Sequence, residues 1–418
     1  MSTPQPTVPP TDMDRRARAA VAALFCVNAA LFGTLVPRLP EVRETFGLSL
    51  DAYGAVVASV AVGSILAGPA IPAGLRRWGS GPLASRGSAA LATLYILLGA
   101  VVWLAGARSG DGAPSVAALL AVTIVLLGTT GAVDGAVDVA MNSHGFRVQR
   151  RYGRSIVTSF HGVWSVSAVG GGLVGSLAVG LGVPIAVHLA VTGLLLGGLA
   201  LVSGRFLLAG ADPVDAERHE AARSAGRPPA RLLAVLAACA AVAVCGGMVE
   251  EAGSTWGALL MIEEGGATPG AAGLAFVALS AAMTVGRFTG DRLLDAFGAR
   301  RVVGLGGLLI AAGIALAVGL PAPATIVSGY ALAGFGTATL VPTAMQAGDR
   351  LPGLPPGVGL TAVSWTLRFA FLVSPVIIGA IGQAAGLRVA LLLVVAAGVI
   401  TTLLAPALAP RGARSGHG

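Results

Sequence analysis

Charged residues are scarce in this sequence. They make up 11% of its 418 residues, and lysine is absent, so that all 27 basic residues are arginine. Because soluble globular domains carry about 25% charged residues, this composition argues against an ordinary soluble domain. Hydrophobic residues instead reach 55% of the chain, with 61 glycines, which is typical of helices that pack closely in lipid.

Cysteine and the common catalytic motifs are also missing or rare. Cys26, Cys239 and Cys245 all lie within apolar runs; they are too few for a disulfide framework and lack the spacing of a metal site. No HExxH or GxSxG motif occurs, which disfavours metalloprotease or serine hydrolase chemistry. We therefore expect no metal, no cofactor and no enzyme activity.

Long apolar runs fill most of the chain. A helix needs roughly 20 apolar residues to cross a bilayer core about 30 Å thick. The sequence predicts an all-α integral membrane protein with twelve transmembrane helices, at residues 19–37, 53–74, 88–106, 116–142, 156–181, 184–205, 232–257, 270–290, 302–320, 323–345, 357–382 and 387–409.

The arginines predict the orientation of these spans. Twenty-one of them lie in the two termini and in the loops of one side, four lie in the opposite loops, and two lie inside spans. The positive-inside rule therefore places both termini in the cytoplasm of a bacterial (inner) cell membrane. The same placement explains the net charge of +8 without a nucleic-acid partner.

An internal repeat divides the chain into two halves. Gly54 and Gly79 are 25 residues apart, as are Gly273 and Gly298, and both pairs end in a basic cytoplasmic loop. The predicted segments are a tail at 1–18, a six-helix half at 19–205, a cytoplasmic linker at 206–231, a second half at 232–409 and a tail at 410–418. Two such pseudo-symmetric bundles match the parallel-repeat architecture of transporters.

Two loops resemble the signature of the major facilitator superfamily, and the resemblance extends over nearly the whole chain. The loop at 74–79 (GLRRWG) has Arg76 where the family usually has an acid, whereas the loop at 295–301 (DAFGARR) keeps it. The resemblance implies the fold of that superfamily. It also implies structural or gating roles for Arg76, Arg77, Asp295, Arg300 and Arg301.

Three further segments are similar to a largely uncharacterised bacterial branch, distantly related to fucose:proton symporters. They are 138–142 (DVAMN), 159–165 (SFHGVWS) and 286–292 (GRFTGDR). The resemblance implies a secondary transporter that is coupled to protons, and it names no substrate. The glycine run at 170–175 lacks the Gly-Pro step of drug antiporters, which disfavours classical drug:proton antiport.

Two opposite charges are predicted near the middle of the membrane. Asp134 lies about ten residues, and Arg368 about eleven, from the cytoplasmic end of their spans. A charge at that depth costs at least about 2.5–3.5 kcal/mol. We interpret them as an inter-half pair or as an arginine that anchors an anionic substrate, with Asp134 as its resting partner. The alternative is a static buried ion pair.

Asp138 and His161 are candidates for proton coupling. Asp138 lies one turn from Asp134 on the same face, and two neighbouring carboxylates in apolar surroundings disfavour each other's ionisation. His161 is predicted at a similar depth and titrates in the physiological range. The alternative is structural: His161 hydrogen-bonds a backbone carbonyl, and Asp138 caps the packing between spans four and five.

Span seven carries two adjacent acids. They are about 100° apart around a helix, so at most one faces a central cavity squarely. Glu250, six residues before Trp256, matches an acid of the bacterial branch and is our candidate for coupling or gating. We expect Glu251 to point to a helix interface or to water. Arg287 and Asp291 are four residues apart and predict an intrahelical pair that supports the next loop.

The remaining candidates for binding a substrate are uncharged. Asn142 is the last residue of the branch segment 138–142, and spans one, four, seven and ten line the path in the superfamily. The set is Asn28, Asn142, Trp164, Thr337, Thr339 and Trp365.

The sequence therefore predicts a monomeric transporter whose partners are protons, a small solute and the bilayer. Midplane charges and few aromatic residues (5%) favour a polar or anionic solute such as a sugar or organic acid. Proton-driven export of a metabolite or antibiotic is the alternative within transport. A non-transporting membrane receptor or scaffold is the alternative of another class.

Overall fold

A computed structural model describes residues 10–108, 113–152, 156–210, 230–351, 354 and 358–408. The described part is helical and contains no strand. Its helices are α1 Asp12–Leu35, α2 Leu39–Thr45, α3 Leu50–Ala67, α4 Ile71–Trp78, α5 Ser80–Ala107, α6 Ala113–Tyr152, α7 Val157–Gly180, α8 Ile185–Gly204, α9 Ala230–Thr255, α10 Gly257–Glu263, α11 Pro269–Ala272, α12 Leu274–Gly319, α13 Pro323–Thr337, α14 Leu340–Asp349, α15 Val358–Ala385 and α16 Leu387–Leu404.

The twelve predicted spans all have a helical counterpart. Eleven helical stretches are long and apolar enough to cross a membrane, and one of them, Pro269–Gly319, has 51 residues. Gly298 interrupts that stretch with a non-helical backbone (φ 77°, ψ 154°), so it contains both the eighth and the ninth span. The all-α prediction and the number of spans are therefore confirmed.

Several span boundaries differ from the prediction: α1 begins at Asp12 and α5 at Ser80, before the predicted 19 and 88. The end of span four differs most. Span four was expected to end at residue 142, but α6 runs on to Tyr152. The extension is amphipathic: Val148 is fully buried, while Arg150 is exposed. The side chain of Gln149 then accepts hydrogen bonds from the backbone of Ile156 and Val157 at 2.8 and 3.1 Å, which satisfies donors at the start of α7.

The internal repeat is visible in the backbone. Gly79 adopts φ 77° and ψ 159° between α4 and α5, and Gly298 adopts almost the same angles at the equivalent position, 219 residues later. Side chains other than that of glycine are essentially excluded from this region of conformational space. The second glycine of each pair that marked the repeat in the sequence is thus required by the same turn in both halves.

Replacing Gly298 by alanine is expected to destabilise the protein through the backbone alone. A Cβ at Gly298 would meet nothing within 4 Å, so the cost is the strain of the turn, on the order of 1–3 kcal/mol. Gly170→Ala is the matched control, because that glycine is helical and its Cβ would also lie in open space. Thermal unfolding of the two variants in detergent measures the difference; equal midpoints would contradict the assignment.

The chain forms two compact units. The first comprises Met1–Pro213 with Thr268–Val277, and the second Val214–Ala267 with Ala278–Gly418. The start of the eighth span therefore groups with the first unit. There α11 packs on α7, and a Cβ on Gly270 would lie 2.6 Å from the Cα of Gly180. Within the predicted linker 206–231, residues 211–229 lie outside the described residues, as do residues 1–9 and 409–418 of the predicted tails.

An arginine that the sequence placed in an outer loop is buried in the first unit. Arg38 follows α1, and its guanidinium donates to His188 Nδ1 at 3.2 Å, to Glu41 Oε2 at 2.8 Å and to the Val183 carbonyl at 2.6 Å. The other ring nitrogen of His188 lies 2.8 Å from the Thr34 hydroxyl. This network ties the end of α1 and the segment after it to the start of α8, because Thr34 and Arg38 both contact His188.

Candidate functional site

Three polar side chains from three helices form a hydrogen-bonded chain in the first unit. Asn28 of α1 is its centre: its Nδ2 donates to Asp134 Oδ1 of α6 at 2.6 Å. Trp164 of α7 donates its Nε1–H to Asn28 Oδ1 at 2.9 Å. Three residues predicted separately as substrate-binding candidates are thus brought together.

This chain fixes the orientation of each member. Asn28 is only 7% exposed. Its amide nitrogen donates to the Asp134 carboxylate, and its amide oxygen accepts from the Trp164 indole. Asp134 and Trp164 are half-buried. The buried Tyr95 of α5 interacts electrostatically with Asp134, which adds a fourth helix to the site. The arrangement suits a ligand that offers hydrogen-bond donors.

Aromatic rings continue the site towards Phe32, a residue that the sequence analysis did not single out. The Phe32 and Trp164 rings are stacked with centroids 6.4 Å apart, and Phe276 meets Phe32 edge-on at 5.8 Å. Phe32 is 37% exposed. It lies four residues after Asn28 and hence on the same helix face, which is the signal that could have identified it.

Asp138 and His161, the proton-coupling candidates, are both exposed. Asn142 donates to Asp138 Oδ1 at 3.1 Å and to the Asp138 carbonyl at 2.9 Å, so the amide orients the acid from one turn further along α6. The His161 ring meets Phe25 edge-on, with centroids 5.3 Å apart. Exposed polar side chains on membrane helices are expected to face water or protein rather than lipid.

The second unit contains an ion pair between different helices. Arg287 of α12 donates to Glu250 Oε1 of α9 at 3.4 Å, and their side chains are 32% and 25% exposed. The sequence predicted Asp291, four residues away, as the partner of Arg287. The structure shows Glu250 as an ion partner of Arg287. Asp291 is exposed, and its pairing with Arg287 stays a prediction.

Glu251 occupies a different environment from its neighbour. It is 4% exposed, and its Oε2 accepts a hydrogen bond from the Ser374 hydroxyl of α15 at 2.6 Å. This agrees with the expectation that Glu251 points to a helix interface.

Comparisons with known proteins give a consistent result. No family model matches the chain. It is 28% identical over 389 residues to an uncharacterized transporter, y4wD, of Sinorhizobium fredii, which covers 93% of this chain and 97% of that protein. It is 26% identical over 361 residues to an uncharacterized MFS-type transporter of Yersinia pestis (85% and 86% covered). It is also 28% identical over 381 residues to the membrane protein MosC of Rhizobium meliloti (91% and 87%).

Solved structures agree on the fold. The nucleoside transporter NupG superposes with a TM-score of 0.65 at 13% identity, over 95% of this chain and 99% of that one. An inward-facing, unoccupied bacterial homologue of the human lysosomal transporter Spinster gives 0.70 at 15% identity, over 95% and 98%. The chain is a membrane transporter with the major facilitator fold. It is not an enzyme.

Two threonines proposed to line the path of the transporter are buried. Thr337 is 1% exposed and its hydroxyl donates to the Gly246 carbonyl of α9 at 3.3 Å. Thr339 is also buried, in the break between α13 and α14. The two side chains pack helices together in this conformation, because the only oxygen that Thr337 offers is engaged by backbone.

The other polar candidates of the transporter lie at accessible positions. Trp365 is exposed and Arg368 half-buried on α15. Arg368 belongs to the second unit and Asp134 to the first, so their pairing stays a prediction. The candidate gating residues of the basic loops are all exposed: Arg76, Arg77, Asp295, Arg300 and Arg301. Among the described residues, no group of three or more metal-ligating side chains occurs.

Proposed function

We propose that this transporter moves a small polar solute across the bacterial inner membrane by alternating access, coupled to protons. The observation that carries the proposal is the chain from Trp164 through Asn28 to Asp134. Substrate sites of such carriers lie near the bilayer midplane, which is the depth that the sequence predicts for Asp134. Hydrogen bonds join Asn28 and Trp164 to this acid. A buried polar chain of this kind is retained in a membrane protein chiefly for function.

The chemistry of the chain favours a solute with hydroxyl or amino donors. A carboxylate such as that of Asp134 accepts strong hydrogen bonds, and the faces of Trp164 and Phe32 offer apolar surface for a C–H-rich ring. A sugar combines both properties. A nucleoside, the kind of solute that NupG is named for, does so as well. An organic acid would in addition need a cation, for which Arg368 is our candidate.

Coupling is assigned to acids in both units. Asp138 lies one turn from Asp134, is exposed, and is oriented by Asn142, so it can exchange protons with water that enters the path. His161 is the candidate for relaying that proton. The pair of Glu250 and Arg287 is proposed as a gating element, because an ion pair between two helices must open or move when those helices separate.

The orientation and oligomeric state belong to the same proposal. Cytoplasmic termini follow from the arginine distribution, and a single chain with twelve spans is sufficient for alternating access. We therefore propose a monomer with both termini in the cytoplasm.

The proposal predicts that Asp138→Asn and Glu250→Gln each abolish gradient-driven uptake without preventing folding. Both changes remove a charge and keep the shape of the side chain, so thermal unfolding of the purified variants is expected to stay cooperative. Uptake of candidate sugars and nucleosides into proteoliposomes with an inward proton gradient is the measurement. Glu263→Gln, a change at an exposed acid, is the matched control. Normal uptake in both variants would refute the coupling role.

Proton-driven export of a metabolite or antibiotic is a second candidate. The ring of the exposed Phe32 stacks on that of the half-buried Trp164. This stack favours export, since an aromatic surface also binds less polar molecules. Uptake into inside-out vesicles against uptake into right-side-out vesicles distinguishes the two directions.

A further inference from the structure

Glu251 is a buried acid with one hydrogen-bonded oxygen and one unsatisfied oxygen. Its Oε2 accepts from Ser374, whereas its Oε1 is buried and has no hydrogen-bond partner. Thr255, one turn further along α9 and also buried, interacts with the same carboxyl group. The side chain is held at the interface of α9 with α15 and is closed to solvent.

No compensating charge reaches this acid. In the part of the chain that the structure describes, no ion pair includes Glu251. Arg287 of α12 forms its ion pair with Glu250, the residue before Glu251. Arg368 lies six residues before Ser374, which places it about 120° away around the helix.

The titratable neighbour on α13 is a phenol. Tyr330 is fully buried, its hydroxyl has no hydrogen-bond partner, and it interacts electrostatically with Glu251. A phenol is neutral at physiological pH and offers no positive charge. Glu251 is therefore surrounded by hydroxyl groups and apolar side chains, with the Glu250–Arg287 ion pair one residue away along α9.

These surroundings fit a neutral carboxylic acid and not a carboxylate. An ionised carboxylate needs donors on both oxygens or a paired cation, and burying it without them is strongly unfavourable. A protonated acid carries no net charge, and the donation from Ser374 to its second oxygen is retained. The unsatisfied Oε1 is the position where the proton would reside.

We propose that Glu251 is held as a neutral acid in this conformation and carries a proton of the transport cycle in the second unit. The inference rests on the proposed function as a proton-coupled carrier. It separates two adjacent acids by role: Glu250 stays ionised against Arg287 and takes part in gating, while Glu251 binds and releases the proton.

A break in the helix next to Glu251 supplies the means of release. Helix α9 ends at Thr255 and α10 begins at Gly257. The Ser254 hydroxyl donates to the carbonyls of Glu250 and Glu251 at 3.2 and 3.0 Å, and such bonds bend helices. Discontinuous helices are where transporters of this kind place their ion sites. Bending at this break admits water to the acid, which then loses its proton.

Infrared difference spectroscopy of the purified transporter in lipid tests the protonation directly. The C=O stretch of a protonated carboxyl is expected in the wild type at neutral pH, lost in Glu251→Gln and retained in Glu250→Gln. In Ser374→Ala the same band is expected to shift, because its hydrogen bond is removed. A band that persists unshifted in Glu251→Gln and Ser374→Ala, or its absence from the wild type, would overturn the inference.

A second arm needs no variant and therefore does not depend on folding of the mutants. Dicyclohexylcarbodiimide adds to a protonated buried carboxyl: the acid proton moves to one carbodiimide nitrogen, the carboxyl oxygen bonds to the central carbon, and the adduct rearranges to a stable acylurea. Peptide mass spectrometry is expected to locate the label on Glu251. Label on Glu250, or on neither acid, would contradict the proposal.

Transport separates failure of this inference from failure of the proposed function. In proteoliposomes, Glu251→Gln is expected to lose the acceleration of solute uptake by an inward proton gradient and to keep solute exchange without a gradient. Unchanged acceleration in this variant overturns the inference alone. Absence of any gradient-driven uptake by the wild type refutes the proposed coupling instead, while the infrared band still decides the state of Glu251.

Discussion

Solute affinity is expected to fall about 10- to 100-fold when Asp134 is replaced by asparagine, which corresponds to the loss of one charge-assisted hydrogen bond. The fold is expected to survive, because the amide oxygen of an asparagine can accept the hydrogen bond that Asn28 donates to Asp134 Oδ1. The measurement is the thermal shift of the purified transporter against concentration of the polar solute that stabilises the wild type most.

The control for Asp134→Asn is the same chemical change elsewhere. Asp51 lies exposed in the first turn of α3, so Asp51→Asn is expected to leave affinity unchanged. Trp164→Phe keeps a ring but removes the N–H that orients Asn28, and we expect an intermediate loss of affinity. Wild-type affinity in Asp134→Asn would show that the polar chain is structural.

Replacing Arg287 by glutamine is expected to give the largest loss of stability. It leaves Glu250, which is 25% exposed, without its ion partner on α12, at a cost of about 1.5–3 kcal/mol. Chemical or thermal unfolding in detergent measures the change, and gradient-driven uptake is expected to be lost as well.

A double variant separates the pair from its members. In Glu250→Gln with Arg287→Gln neither charge remains, so most of the stability lost in Arg287→Gln is expected to return. Uptake is expected to stay absent, since the gating pair is gone. Additive destabilisation in the double variant would show that the two residues do not interact.

The fold could be predicted from the sequence because lipid imposes strong constraints. Every backbone polar group in the bilayer has to be satisfied within a helix, so a run of apolar residues is sufficient to predict a span. The turns at Gly79 and Gly298 were visible as a repeat because their backbone angles exclude other residues. The end of α6 was predicted too early. Residues 143–152 are polar in composition, so the apolar run appeared to end at 142, whereas the helix continues with one buried and one exposed face.

The site could be predicted only as a set of separate residues. Predicted midplane depth identified Asp134, whereas Asn28 and Trp164 were predicted only as uncharged groups lining a cavity. Their contacts join positions 106 and 136 residues apart, and no local rule gives such a distance. The same limit explains why the ion partner of Arg287 was not predicted. Its neighbour at four residues, Asp291, satisfied the local helix rule, whereas Glu250 lies 37 residues away on another helix.

Two further differences come from burial, which a single sequence does not reveal. Arg38 looked like a loop arginine, yet it is buried by partners that α8 brings close. Glu250 and Glu251 are adjacent and chemically identical. Packing of α9 against α12 gives Glu250 an ion pair, and packing of α9 against α15 gives Glu251 a hydroxyl partner. The sequence separated the two acids through the spacing of Glu250 from Trp256, but it did not give the partner of either one.

Charge movement in a solid-supported membrane tests the central claim most directly. Sugars, nucleosides, organic acids and lipophilic antibiotics would be applied in turn to membranes that carry the wild type or Asp134→Asn, at pH 5.5 and 7.5 (conditions chosen to bracket the titration of histidine). The account predicts a current with at least one polar solute, larger at the lower pH. At a solute concentration near the wild-type Kd, the current is strongly reduced in Asp134→Asn. Currents evoked only by lipophilic compounds, and unchanged in Asp134→Asn, would contradict it.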